Sequence, residues 1–173
     1  MQIVAQHPRL LAIAAFAVVL AAAIPVVAYV VVPQLVRSTL IEDVPTARPV
    51  ESAVPPNGSP RAEPTQTLLQ GELVRITIAD YGSGTIRIVR IGADRFARFE
   101  DVDIAGAPDM YVYLSDRTDG KPGAFTDLGK LKATNGSFNY QIPSSVDLGS
   151  VRSLVVWCRQ FNVTVTYAAL KPV

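Results

Sequence analysis

Hydrophobic and polar positions divide the chain into three stretches. The first is an apolar run from Leu10 to Val36 without a single charged residue. It exceeds the roughly 20 residues that an α-helix needs to cross a bilayer. Pro25 and Pro33 fall inside it, and proline is tolerated in membrane helices. The second stretch runs from Ser38 to about Thr67. Pro45, Pro49, Pro55, Pro56, Pro60 and Pro64 punctuate it, small and polar residues fill the gaps, and no aromatic occurs. Such a segment cannot bury enough apolar surface to offset its ordering entropy. It predicts a semi-rigid stalk of polyproline character. From Leu68 onward prolines become rare and short β-branched runs appear.

These runs carry the period of two that marks strands. Glu72–Ile78 sets Val74, Ile76 and Ile78 on one face. Thr85–Ile91 sets Ile86 and Ile88 against Arg87. Arg95–Phe99, the aromatic-rich Met110–Leu114, Ser137–Ile142, Val151–Cys158 and Phe161–Tyr167 complete the set. Gly82-Ser83-Gly84 and Asn135-Gly136 read as turns. No segment of this zone shows a helical period. Seven or more short strands with frequent turns predict an all-β fold, an antiparallel β-sandwich or a partly open barrel. The predicted domains are an anchor at 1–37, a disordered stalk at 38–67 and a β domain at 68–173.

Composition then removes whole classes of function. The formal net charge is +1, which argues against a nucleic-acid partner. From Leu68 to Val173 there are 12 basic and 11 acidic residues, so neither sign dominates the domain. The one histidine, His7, precedes the apolar run. The β domain therefore holds no Ser-His-Asp triad, Cys-His dyad or histidine-bound metal. A hydrolase lacks its usual general base. The apolar run predicts membrane contact through residues 10–36. A cleaved signal peptide ending near Ala21-Ala22-Ala23 is the rival reading, and the length of the run favours the anchor. Positive charges on the two sides nearly tie. The stalk favours an orientation with the β domain outside the cytoplasm.

Cys158 is the lone cysteine, so no internal disulfide can form. It ends an apolar run, next to Arg159-Gln160. With Trp157 facing the core, period two turns Cys158 toward a surface or cleft, where Arg159 and Arg152 could lower its pKa. As a free cysteine it is otherwise a small buried hydrophobe. Met110 is the only methionine of the β domain. A Cys–Met pair offers soft ligands to copper or haem iron, although a methionine in a strand is ordinarily core filler. Glu100, Asp101, Asp103, Asp109, Asp116, Asp119 and Asp127 offer oxygen ligands for calcium, but no spacing matches an EF-hand. Loop solvation and Asx-turns are the simpler reading, and no metal ligands are assigned. Asp80–Gly84 is glycine-rich but lacks the lysine and helix of a phosphate loop. Lys130 and Lys132 read as solubilising.

The β domain resembles the electron-transfer DM-thirteen domain. The stretches that carry the resemblance are Ser83–Thr85, Phe99–Val102, Ala107–Ser115, Leu128–Lys132, Asn139–Pro143 and Val155–Val163. They follow the family's order across residues 71–170. The resemblance implies a β-sandwich-like fold outside the cytoplasm and a proposed redox role for the cysteine that aligns with Cys158. In larger relatives such a domain sits beside haem-binding or cytochrome domains. Many members carry a histidine near the position of Asp80 and Tyr81, which this chain lacks. The implied function is a membrane-anchored electron-transfer or thiol-redox component. A single cysteine would need a redox protein, a partner thiol, a second copy or a cofactor of unknown identity. Trp157, Tyr111, Tyr113 and Tyr140 are candidates to line an electron path. The alternative is a non-enzymatic binding or structural module of the cell envelope with Cys158 as packing.

Overall fold

The computed structural model describes residues 8–35, 37–45 and 64–173. The chain divides into a unit ending at Val36 and a second unit, Arg37–Val173. The first is a helix, α1 (Pro8–Leu35). Its described side chains are apolar and exposed on every side, Ile13, Phe16, Val18, Val19 and Ile24 among them. Among the described residues no helix is long and apolar enough to cross a membrane. The expected helix is present, but a transmembrane span is not supported.

The second unit is built from strands. In chain order they are β1 (Thr39–Ile41), β2 (Gln66–Glu72), β3 (Gly82–Ile91), β4 (Asp94–Ile104), β5 (Met110–Ser115), β6 (Phe125–Lys130), β7 (Asn135–Ile142), β8 (Ser153–Cys158), β9 (Val163–Ala169) and β10 (Lys171–Pro172). They form a six-stranded sheet, β1-β7-β4-β3-β2-β10, and a four-stranded sheet, β6-β5-β8-β9. Each sheet keeps its own edges, so the domain is mostly β and not a closed barrel. All pairings are antiparallel except β1 with β7.

Inward positions of both sheets meet in one core. Ile86, Ile88, Phe99, Phe138 and Tyr140 come from the larger sheet. Val112, Leu114, Leu154, Val156, Cys158 and Val165 come from the smaller. Phe99 and Phe138 are opposite in register, and their rings stack at 4.7 Å. Tyr140 tilts against Phe99 at 5.6 Å. Its buried hydroxyl accepts from the Lys132 amide and donates to the Lys130 carbonyl, which satisfies a polar group that would otherwise be costly to bury.

Three expectations are corrected. The strand placed at Glu72–Ile78 lies earlier, at Gln66–Glu72, where it pairs with β3. Past Leu73 the chain leaves the sheet for a turn closed by the Ile76 and Thr77 amides on the Asp80 carbonyl. Ile76 and Ile78 are left exposed. Asn135-Gly136 is not a hairpin turn but the start of β7, where the register against β4 shifts between Phe99 and Val102. The β domain also does not begin at 68. Gln66 and Thr67 already pair with Arg90 and Val89, and residues 39–41 are a strand of the same sheet. The central part of the expected stalk, 46–63, lies outside the described residues.

The early strand is held by polar contacts rather than by area. Arg37 binds Asp103 at 2.7 Å. The Thr134 and Asn135 amides donate to the Ser38 carbonyl. The Glu42 carboxylate accepts from the Asn139 amide at 2.8 Å and from Lys132 Nζ at 2.9 Å. The buried Arg98 guanidinium donates to the Glu42 and Asp43 carbonyls and to Asn139 Oδ1. Lys132, expected only to aid solubility, is thus a structural clamp. At Gly136 the backbone lies at φ 108°, and a Cβ there would overlap the Leu40 carbonyl.

Two outcomes follow from this clamp. Gly136→Ala should expel β1 while leaving the stacked Phe99–Phe138 core intact. Hydrogen exchange would then be fast at residues 39–41 and slow at β4. Burial pushes the Glu42 carboxyl up, but the hydrogen bond from Lys132 and that from the Asn139 amide outweigh it, so its pKa is lowered. A carboxyl whose folded pKa is depressed stabilises the fold above its unfolded pKa and loses that contribution as pH falls through the folded value. Exchange at residues 39–43, corrected for its intrinsic rate, should therefore accelerate as pH falls below the ordinary glutamate range. In Glu42→Gln it should be fast already at neutral pH and respond much less to acid.

Candidate functional site: Cys158 and the outer face of the smaller sheet

Strand β8 sits inside the smaller sheet between β5 and β9. Leu154, Val156 and Cys158 face the core, so Ser153, Val155 and Trp157 face outward. Cys158 has no exposed surface. It lies opposite Met110 on β5 and Val163 on β9. Its Sγ donates to the Pro108 carbonyl at 2.9 Å. The expected arrangement, with Trp157 inward and Cys158 toward a cleft, is reversed. Leu154, Val155 and Val156 are all apolar, so alternation along the strand gives no sign of which face is the core. The outward Val155 is itself fully buried.

What buries the outward face is the loop between β5 and β6. Thr164 Oγ1 donates to the Gly120 carbonyl at 2.6 Å. Gly120, at φ 78°, packs so closely on the Tyr167 ring that a Cβ would collide with it. Trp157 lies beyond this cover, half-buried, opposite Tyr111 and Thr164. It opens onto a groove of about 690 Å³ between residues 74–76, 119–122 and 162–164.

Arg159 does not approach the thiol. Its guanidinium stacks 3.4 Å from the Tyr111 ring centre. Its Nε donates to the Tyr113 hydroxyl at 2.6 Å, and its Nη2 to Asp127. The Tyr113 hydroxyl and then the Asp127 carboxylate push its pKa up. Tyr113 stacks in turn on Phe125 at 4.2 Å. Arg152 lies at the far end of β8 and donates to the Gly149 and Val151 carbonyls. Both guanidiniums are hydrogen-bonded elsewhere, so neither flanking arginine is paired with Cys158. Tyr111, Tyr113 and Trp157 share the outer face. Tyr140 lies in the core instead.

Register brings Cys158 and Met110 together, which their distance in sequence does not announce. Two soft sulfurs fall short of the three or four ligands usual in a protein metal site. Among the described residues no group of three or more His, Cys, Asp or Glu could hold a metal ion. The acidic residues are spent on local structure. Asp103 pairs with Arg37, Glu100 with Arg87, Asp109 with Lys130, Asp119 with Arg117 and Asp127 with Arg159. Asp116 accepts from the Ala124 amide and Asp101 from the Ser137 hydroxyl. The turn expected at Gly82-Ser83-Gly84 is instead the start of β3, with a bulge between Ser83 and Thr85.

A family model described as Electron transfer DM13 matches residues 76–170. The chain belongs to the electron-transfer DM13 family. The match spans β3 through β9 and includes Cys158, Trp157 and the tyrosines of β5. No curated protein matches the chain. Among solved structures, a mutant of Candida albicans superoxide dismutase 5 is 13% identical over 64% of this chain and 90% of its own, at a TM-score of 0.37. That likeness is too slight to bear on fold or chemistry.

The thiolate is the reactive form of cysteine and needs access. Native alkylation of Cys158 by iodoacetamide should therefore be at least about 100-fold slower than in denaturant, because it must await an opening of the sheet. Intact mass read over time checks this. Rapid native labelling would mean that the Pro108 contact does not persist in solution.

Proposed function

We propose that this DM13 chain is a membrane-tethered, extracytoplasmic electron-transfer module whose redox centre is Cys158, reached by electrons and not by other thiols. The observation that carries the reading is the back-to-back placement of Cys158 and Trp157. The sulfur is sealed in the core, and the adjacent indole reaches the outer face beside Tyr111. Thiol–disulfide exchange requires one sulfur to attack another in line, and burial blocks that approach. Electron exchange needs no such contact. The apolar, uncharged run Leu10–Val36 supports the tether. The proline-punctuated segment after it supports display away from the bilayer.

One observation favours a second reading. Complete burial is also what a packing cysteine shows, and then the domain is a binding or structural module of the envelope.

The test uses the full chain in detergent micelles with hexachloroiridate(IV), an outer-sphere one-electron oxidant. Cys158 would lose one electron to iridium(IV), giving iridium(III), and its thiol proton to solvent, leaving a sulfur-centred radical. Cys158→Ser should slow reduction of the oxidant roughly tenfold or more. Trp157→Leu should slow it while leaving native alkylation unchanged. Equal rates for the parent chain and Cys158→Ser would sink the redox centre and leave the binding module.

A further inference from the structure

The groove beside Trp157 has its own chemistry. Its apolar wall is made by Trp157, Tyr167, Val163 and Ile76. Ile76 and Val163 are 44% and 40% exposed, so apolar surface faces water there without a partner. Two cations, Arg75 and Lys121, stand at its sides. Among the described residues neither makes an ion pair. Arg75 rests its guanidinium 4.7 Å over the Tyr81 ring, a contact that uses the guanidinium face and not its N–H groups. Of the two carboxylates of the groove, one has its charge matched and one does not. Asp119 is clamped by Arg117 and accepts the Lys121 amide. Asp80 accepts only from the neutral Thr77 hydroxyl and keeps its charge, so the lining carries one positive charge in excess. The groove therefore offers flat aromatic surface together with unspent positive charge.

We infer that this groove binds a planar aromatic anion of the flavin mononucleotide type, its ring against Trp157 and Tyr167 and its anionic group between Arg75 and Lys121. The size is right for one such molecule, since ligand pockets run from about 300 to 1,000 Å³. Charge decides the class. A neutral aromatic would leave both cations unused, whereas a phosphate or carboxylate gains charge-assisted hydrogen bonds from them. An inorganic anion would leave the apolar wall wet. The inference deepens the electron-transfer reading, because it sets the exchange partner against the indole that backs Cys158. The binding itself does not require that reading to hold.

Flavin mononucleotide is the probe, and the quenching of its emission on stacking is the readout. The full chain in uncharged detergent micelles should quench it saturably. Riboflavin has the same ring without the phosphate and should bind at least about tenfold more weakly. The double variant Arg75→Ala, Lys121→Ala should weaken flavin mononucleotide by a similar factor and leave riboflavin unchanged. Trp157→Phe keeps an aromatic wall and should retain binding with altered quenching, whereas Trp157→Leu should lose it. Absence of saturable quenching overturns the inference. So does equal binding of the two flavins. Cys158→Ser separates the two ideas. Binding retained in that variant, with iridium reduction unaffected, sinks only the redox centre. Iridium reduction dependent on Cys158 with no flavin binding sinks only the groove.

Discussion

Burial of strand β8 on both faces is the constraint on which the domain depends. On its inner side Leu154, Val156 and Cys158 close the core against the larger sheet. On its outer side Val155 is just as buried, although no second sheet lies there. The cover is supplied by the β5–β6 loop, held by the Thr164–Gly120 hydrogen bond and by the Tyr167 ring on Gly120. An antiparallel sheet ordinarily leaves one face to water. Here a loop takes the place of a third layer and ends short of Trp157. The candidate site exists because the cover is incomplete.

The same constraint explains what could be read from the sequence. Strands that are buried on one face only announce themselves by alternation, and Thr85–Ile91 and Ser137–Ile142 stand within a few residues of where the pattern put them. The run Val151–Cys158 was legible as a strand but not as to its facing, because a strand apolar on both sides carries no phase. That ambiguity set Cys158 and Trp157 on the wrong sides. β6 left little signal, since Phe125 and Leu128 are separated by polar residues and an edge strand needs little burial. Val74, Ile76 and Ile78 gave a strong false signal. Their alternation is real, but the Asp80 carbonyl captures the Ile76 and Thr77 amides in a turn, and two of the three apolar side chains remain in solvent. Exposed apolar residues placed like this are informative, as they mark a surface rather than a core.

Strand β1 was invisible for a different reason. Three residues in a proline-bearing stretch carry no period, and its attachment comes from Arg37, Ser38 and Glu42 reaching partners far along the chain. A tertiary network of this kind outweighs local propensity. It also terminates the larger sheet, whose β7 edge would otherwise present unpaired backbone groups. The charge network around Arg98 shows why the segment is specific. A buried guanidinium without acceptors would be costly, and it receives the carbonyls of Glu42 and Asp43 together with Asn139 Oδ1. Removing the segment would strip the cation of two of its acceptors.

A sealed thiol beside a half-exposed indole separates two properties that an exposed cysteine combines. An exposed thiolate in an oxidising compartment is open to every disulfide and peroxide it meets. Burial removes that reactivity, because nucleophilic attack is a contact process. What survives is whatever can act without contact. The outward neighbours of Cys158 are then the residues through which the site meets its surroundings. The arginine among them, Arg159, is already committed to Tyr111, Tyr113 and Asp127. Among the described residues Arg75 and Lys121, on the other side of Trp157, make no ion pair, Arg75 only resting over the Tyr81 ring. The charge that is free to recognise something therefore lies on the groove side of the indole, and chemistry at this surface should be sought there.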